Sequence, residues 1–179
     1  KSTMKPKSDP TCPHCVDSFA LQHFLFETDN FRIVCDVHPL IEGHILIIPK
    51  DHYSCVGELP QNLFTEFLSI YTKIRDFVKK TYNHVAAFEH GKIGQTVFHS
   101  HTHILPFMDN VSTIIPEGKN NLIQINNLKE LQNAFTREDK YLFISIENKS
   151  WLVNTNLGVP RFFRDRFAAA LSNPERGNW

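Results

Sequence analysis

Apolar and polar positions alternate in two rhythms along this chain, and the switches between them locate its elements. Between Pro60 and Tyr82, the residues Leu63, Phe64, Phe67, Leu68, Tyr71, Ile74, Phe77 and Val78 recur at steps of three and four, the period of an amphipathic helix. Pro60 suits the first turn of that helix, and Lys79-Lys80 suits the last, where cations meet the negative end of the helix dipole. Shorter apolar runs read as strands. They are Phe24–Glu27 and Phe31–Val37 around a Thr28-Asp29-Asn30 turn, His44–Ile48 stopped by Pro49, and His84–Phe88. A loop with Gly91 and Gly94 then leads into a strand predicted over Val97–Leu105.

Beyond Pro106 the pattern weakens. Val111–Ile115 reads as a further strand, followed by a polar loop, and Asn127–Phe135 as a short helix. Tyr141–Ile146 and Trp151–Asn154 form a predicted hairpin around Asn148-Lys149, and Pro160–Leu171 a final amphipathic helix. Lys1–Pro10 reads as a flexible polar lead-in. With no repeat and no linker, the expected organisation is a compact unit over 11–110 whose C-terminal extension, 111–179, belongs to the same domain.

Within the Val97–Leu105 segment, His99, His101 and His103 alternate. An extended chain sends every second side chain to one face, so the three imidazoles are expected to project together at intervals of about 6.5–7 Å. Val or Phe would pack there without a hydrogen-bonding demand, which favours chemistry over an accidental histidine-rich strand. Crowded imidazoles disfavour each other's protons, leaving neutral rings able to accept a proton or attack phosphorus.

Cys12-Pro13-His14-Cys15 is either a redox dithiol or half of a zinc site. The pair follows a polar lead-in rather than a strand, which argues against a thioredoxin-like motif. His52 and His99 are the candidates to complete a closed Cys2His2 site, and His14 is expected to face solvent. Cys35 and Cys55 read as small hydrophobes. Asp36, in an apolar strand, either pairs structurally or binds a hydroxyl pair such as that of ribose.

Nineteen basic residues balance nineteen acidic ones, which argues against general nucleic-acid binding. No apolar run approaches a membrane span and no secretory signal is visible, so a cytoplasmic location and no membrane partner are expected.

Two blocks in order, Asp36-Val-His-Pro-Leu-Ile-Glu-Gly-His-Ile-Leu-Ile-Ile-Pro-Lys-Asp-His52 and Gly94-Gln-Thr-Val-Phe-His-Ser-His-Thr-His-Ile-Leu-Pro106, resemble the histidine triad (HIT) superfamily. The similarity runs from about Cys12 to Pro106. It implies an α+β fold with a five-stranded antiparallel sheet and one long helix, here with a C-terminal α/β elaboration. It also implies a homodimer that binds nucleotides, with adenine favoured. By position, His101 would be the nucleophile at the α-phosphate, with His44 and His103 completing the histidine cluster. Thr96 and Gln95 would contact phosphate or leaving group, and Asp36 the ribose. Members with the N-terminal C-x-x-C are similar to galactose-1-phosphate uridylyltransferases in binding zinc, which here would fall to Cys12, Cys15, His52 and His99.

The chain also departs from that pattern. Ser100 and Thr102 stand where apolar residues are usual, so the far face of that strand is expected to be less buried. Phe88-Glu89-His90 stands where members usually carry an amide side chain near phosphate, and His90 is given no role. Arg161, Arg164 and Arg166 could reach a phosphate, but the favoured reading is a solvated helix face with Phe163 and Phe167 packed inward. The expected activity is a nucleotide hydrolase, of dinucleoside polyphosphate or phosphoramidate type, acting through a nucleotidyl-histidine. A nucleotide-binding module with little turnover and a nucleotidyltransferase to an acceptor other than water are the alternatives.

Overall fold

A computed structural model describes residues 8–178, so most of the predicted lead-in lies outside the described residues. The chain is α+β. Strands β1 (Phe24–Glu27), β2 (Phe31–Cys35) and β3 (Ile45–Pro49) precede the long helix α1 (Gln61–Tyr82). Strands β4 (Ala86–Gly91) and β5 (Thr102–Leu105) follow it. The extension contributes α2 (Val111–Ile114), β6 (Leu122–Ile125), α3 (Lys129–Glu138), β7 (Tyr141–Ile146), β8 (Lys149–Val153) and α4 (Phe162–Ala170).

All eight strands join one sheet in the order β1-β2-β3-β5-β4-β7-β8-β6, and every pairing is antiparallel. The first five strands are those the resemblance implied. The other three come from the extension, which pairs β7 along all six residues of β4. A strand edge with unpaired backbone groups is thereby closed by the chain's own C-terminal half.

Strand parity divides the core between the two faces. Ile45 and Ile47, Ala87, Ile104, and Tyr141 and Phe143 pack with α1 and α3. Phe88, Leu105, and Leu142 and Ile144 face the other way, toward Phe162, Phe163 and Phe167 of α4. His44, His90 and His103 share the parity of that second face.

Four sequence expectations change. Val111–Ile114 is a single helical turn packed against α4 rather than a strand. Leu122–Ile125, expected as polar loop, is the outermost strand, with Ile123 exposed. Phe77 lies on the exposed side of α1. The segment before Thr102 leaves the ladder, because Ser100 N donates to Tyr53 O at 2.6 Å and His99 Nε2 to Pro49 O at 2.6 Å. Those bonds replace strand pairing, so β5 begins only at Thr102.

Candidate functional site

The same departure from the ladder splits the three histidines between two adjacent sites. His99 turns toward the N-terminal cysteines. Its Nδ1 lies 3.4 Å from Cys12 Sγ, 3.2 Å from Cys15 Sγ and 3.2 Å from His52 Nδ1, and the latter is 3.2 Å from Cys15 Sγ. Pro49 O can only accept, so the proton of His99 sits on Nε2 and its Nδ1 lone pair faces the cysteines. A tetrahedral ion bonded at about 2.0–2.3 Å would have donor–donor edges of roughly 3.3–3.8 Å. All four donor atoms lie within 4.8 Å of one another, so the group fits and could hold a metal ion.

His101 and His103 turn instead into a cavity also lined by Asp36, Thr96, Arg161 and Arg164. The expected single row of three rings is therefore corrected. His101 and His103 have ring centres 5.1 Å apart, while His99 does not line the cavity. His14, expected at the surface, is buried between the two groups, edge-on to His99 at 5.7 Å and to His101 at 4.9 Å.

Hydrogen bonds assign the tautomers. Leu40 N donates to His44 Nδ1 at 3.1 Å, which leaves the proton of a neutral His44 on Nε2. That Nε2 lies 2.9 Å from His103 Nδ1, so His103 accepts there and carries its own proton on Nε2. Phe88 stacks on the His103 ring at 4.2 Å and holds its plane. His101 donates from Nδ1 to His99 O at 2.7 Å. Its Nε2 therefore keeps a lone pair, and among the described residues no protein group engages it.

Burial is the leading influence on these rings. It lowers His101, takes His103 well below the ordinary imidazole value, and brings His44 to about 4 despite the Asp36 carboxylate nearby. The result is neutral histidines at physiological pH, the state that a histidine nucleophile requires. Burial alone would push the Asp36 carboxyl up, yet His44, Arg164 and the His38 N–H hold it below its ordinary range.

Asp36 is more fully engaged than a bare ribose acceptor. His38 N donates to its Oδ1 at 2.8 Å and Arg164 Nη1 to its Oδ2 at 2.9 Å. His44 Nε2 lies 3.5 Å from Oδ2. Gln95 points elsewhere, its amide donating to Ser54 O at 2.5 Å, whereas its neighbours Gly94 and Thr96 line the cavity. Gly94 adopts φ +81°, and a Cβ there would sit 2.9 Å from Val159 O, so the loop takes this path only with glycine.

Three residues of the cavity were not assigned from sequence. Arg164, expected on a solvated face, is buried against Asp36 and also donates to His38 O. The available signal was its spacing, since the buried Phe167 and Ala168 lie three and four residues further along α4. Arg161 also lines the cavity. His90 lies in the cavity wall, accepting at Nε2 from Phe163 N at 3.0 Å. Arg166, by contrast, pairs with Glu117 outside the cavity. Ser100 and Thr102 are fully buried, contrary to expectation, with Ser100 Oγ donating to Glu89 at 3.3 Å.

The HIT domain profile matches residues 20–110, just over half of the chain. The chain belongs to the HIT family. Among its relatives is the adenosine 5′-monophosphoramidase of Saccharomyces cerevisiae, 33% identical over 111 residues that span 60% of this chain and 69% of that protein. An uncharacterized HIT-like protein of Methanocaldococcus jannaschii is 28% identical over 60% of this chain and 87% of its own. An adenylylsulfatase of Arabidopsis thaliana is 33% identical over 46% of this chain and 44% of that protein. A zinc-bound histidine triad family protein of Mycobacterium smegmatis superposes with a TM-score of 0.47 at 22% identity, covering 72% of this chain and 96% of that one.

The buried histidines of this HIT protein also set how its stability depends on pH. Burial lowers His44 to about 4 and His90 to about 3. An unfolded chain takes up those protons near pH 6.5, so in this window it binds more protons than the fold and stability rises with pH. Glu89, raised by burial to about 7, works in the opposite sense and adds stability as pH falls from about 7 to about 4.5. Two imidazoles outweigh one carboxyl, so Tm is expected to fall as pH drops from 6.5 to 4.5. A calorimetric Tm that rises over that interval would contradict this assignment of neutral rings.

Proposed function

We propose that the chain is a nucleotide hydrolase that cleaves a P–O–P or P–N bond at the α-phosphate through a nucleotidyl-histidine on His101, releasing a nucleoside monophosphate. The observation that carries this reading is the His101 ring itself, with Nδ1–H committed to a backbone carbonyl and Nε2 unengaged in a cavity. Two relatives named for hydrolysis of adenosine 5′-monophosphoramidate and adenylylsulfate support hydrolysis within the family and favour an adenine nucleotide.

In this proposal the Nε2 lone pair attacks the α-phosphorus, and the substrate's P–O or P–N bond breaks with its electron pair leaving on the phosphate oxygen or on the amine, which departs protonated. Negative charge spreads over the phosphate oxygens, where His103 Nε2–H and the Thr96 hydroxyl are the donors placed to meet it. The orienting chain runs from Leu40 N–H through His44 to His103, so the donor is fixed before substrate arrives. Asp36 keeps acceptor capacity for sugar hydroxyls beside its bond to Arg164, and Gln95 acts by tying the Gly94–Thr96 loop to Ser54 O. Water then attacks the phosphorus, the P–N bond breaks, and His101 recovers its lone pair. Incubation of the full chain with adenosine 5′-phosphoramidate or a diadenosine polyphosphate should release AMP. Binding with no AMP from either would leave only a nucleotide-binding module.

Zinc is the proposed ion for the Cys12, Cys15, His52 and His99 group, in a structural role. Two thiolates and two imidazoles form a closed tetrahedral donor set with no position for substrate. When bound, the ion would clamp the N-terminal segment, and with it His14, against the segment that carries His101. Metal analysis should give about one zinc per chain from that donor count, and chelation should lower Tm without releasing nucleotide contacts directly. A protein free of zinc with fully titratable thiols and an unchanged Tm would contradict the assignment.

We further propose one domain, with 11–110 as the HIT unit and 111–179 as its extension, since β7 continues the sheet from β4. A cytoplasmic location is proposed from the free cysteines; among the described residues no helix is long and apolar enough to cross a membrane. The homodimer stays part of the proposal. The sheet edges open to it are those of β1 and β6, because β4 is already paired on both sides.

A further inference from the structure

The charged groups that line the cavity are unequally matched, and the mismatch bears on what can leave. Asp36 is the cavity's lining carboxylate, already bonded to Arg164 and close to His44. Hydroxyls are accepted there, whereas a phosphate chain would meet a negative charge. Gly94, Thr96 and Arg161 also line the cavity. Arg161 is tied to that loop through its backbone, Arg161 N donating to Gly94 O at 3.0 Å.

The Arg161 side chain is held without being used up. Nη1 donates to Asn178 Oδ1, a neutral acceptor, and Nε lies 3.6 Å from the Asp165 carboxylate, a partner about half exposed to water. A guanidinium carries five N–H donors, so several remain for a ligand. Its side chain is 36% exposed rather than sealed in the core. His90 and His103 nearby are held neutral by burial, and Arg164 is matched by Asp36. Arg161 is therefore the cation that this wall offers to an incoming anion.

Resting on the hydrolase reading above, we propose that Arg161 selects substrates whose leaving group is anionic, namely phosphoanhydrides such as dinucleoside polyphosphates, over phosphoramidates that lose a neutral amine. In the step concerned, His101 Nε2 forms a bond to the α-phosphorus and the bridging P–O bond breaks. The electron pair stays on the departing phosphate oxygen, whose charge Arg161 meets with charge-assisted hydrogen bonds. That anion needs no proton to depart, whereas an amine does. Water then adds to phosphorus, the P–N bond returns its electron pair to Nε2, and the released proton passes to solvent.

The test compares kcat/KM for diadenosine triphosphate and adenosine 5′-phosphoramidate in the full chain and in Arg161→Gln. A charge-assisted hydrogen bond contributes about 1.5–3 kcal/mol, so the anhydride-to-amidate ratio should fall at least about tenfold. Arg161→Gly is the second variant, because Arg161 sits at φ 62°, where glycine is unstrained, and the ratio should fall equally. A smaller change in either folded variant overturns the inference. A wild-type protein that cleaves only the amidate overturns it too and leaves the hydrolase reading standing. Failure to release AMP from both substrates overturns both.

Discussion

His101→Ala should abolish AMP release, by on the order of 10^4-fold or more, the scale seen when a nucleophile is deleted from an otherwise intact site. The fold should survive, because the ring is only half buried and its one protein hydrogen bond is to a neighbouring backbone carbonyl. Tm is therefore expected within a few degrees of wild type. His44→Ala offers the contrast, since it removes the ring that orients His103 from a fully buried position. Turnover by purified His101→Ala within tenfold of wild type would remove the nucleophile assignment, whatever the behaviour of the other variants.

Arg164→Ala should cost far more stability than a surface arginine. Arg164 and Asp36 are both buried and bonded at 2.9 Å, and deleting one member of such a pair leaves an uncompensated charge at about 3–5 kcal/mol. For a chain of this length that corresponds to a fall in Tm on the order of 10 °C. The double variant Asp36→Asn with Arg164→Gln removes both charges and should recover a large part of the loss. Additive losses in that double-mutant cycle would mean that the pair does not interact in solution. The experiment also reports on the extension, because Arg164 comes from α4 and Asp36 from the loop after β2, 128 residues earlier.

Local spacing made much of the candidate site legible. The alternation of His99, His101 and His103, the block from Asp36 to His52 and the Cys12–Cys15 pair each lie within a short stretch. The metal-competent cluster joins the four residues named in advance. What spacing could not reveal was where the strand stops. Nothing local announces that Ser100 and His99 will bond to Tyr53 and Pro49 carbonyls, so three rings expected in one row divide between two sites.

Long-range packing hid the rest. Arg161 and Arg164 reach the cavity because Phe163 and Phe167 dock α4 on Phe88, at 5.4 and 5.0 Å between ring centres. Arg166, on the same helix, faces Glu117 as a solvated residue should. His14 is buried because the cysteine pair beside it folds back onto His99 and His52. The three strands added to β4 follow from the predicted hairpin, but the outermost one, Leu122–Ile125, is too short for its pattern to stand out from a loop.

The central claim is a covalent bond between His101 and the α-phosphorus, and rapid mixing with substrate followed by an alkaline quench and peptide mass mapping tests it most directly. The expected result is an adenylyl group on the peptide containing His101, formed within the first turnover and lost at the rate of AMP release. Steady AMP production with that peptide unmodified throughout, or an adduct on another side chain, would contradict it.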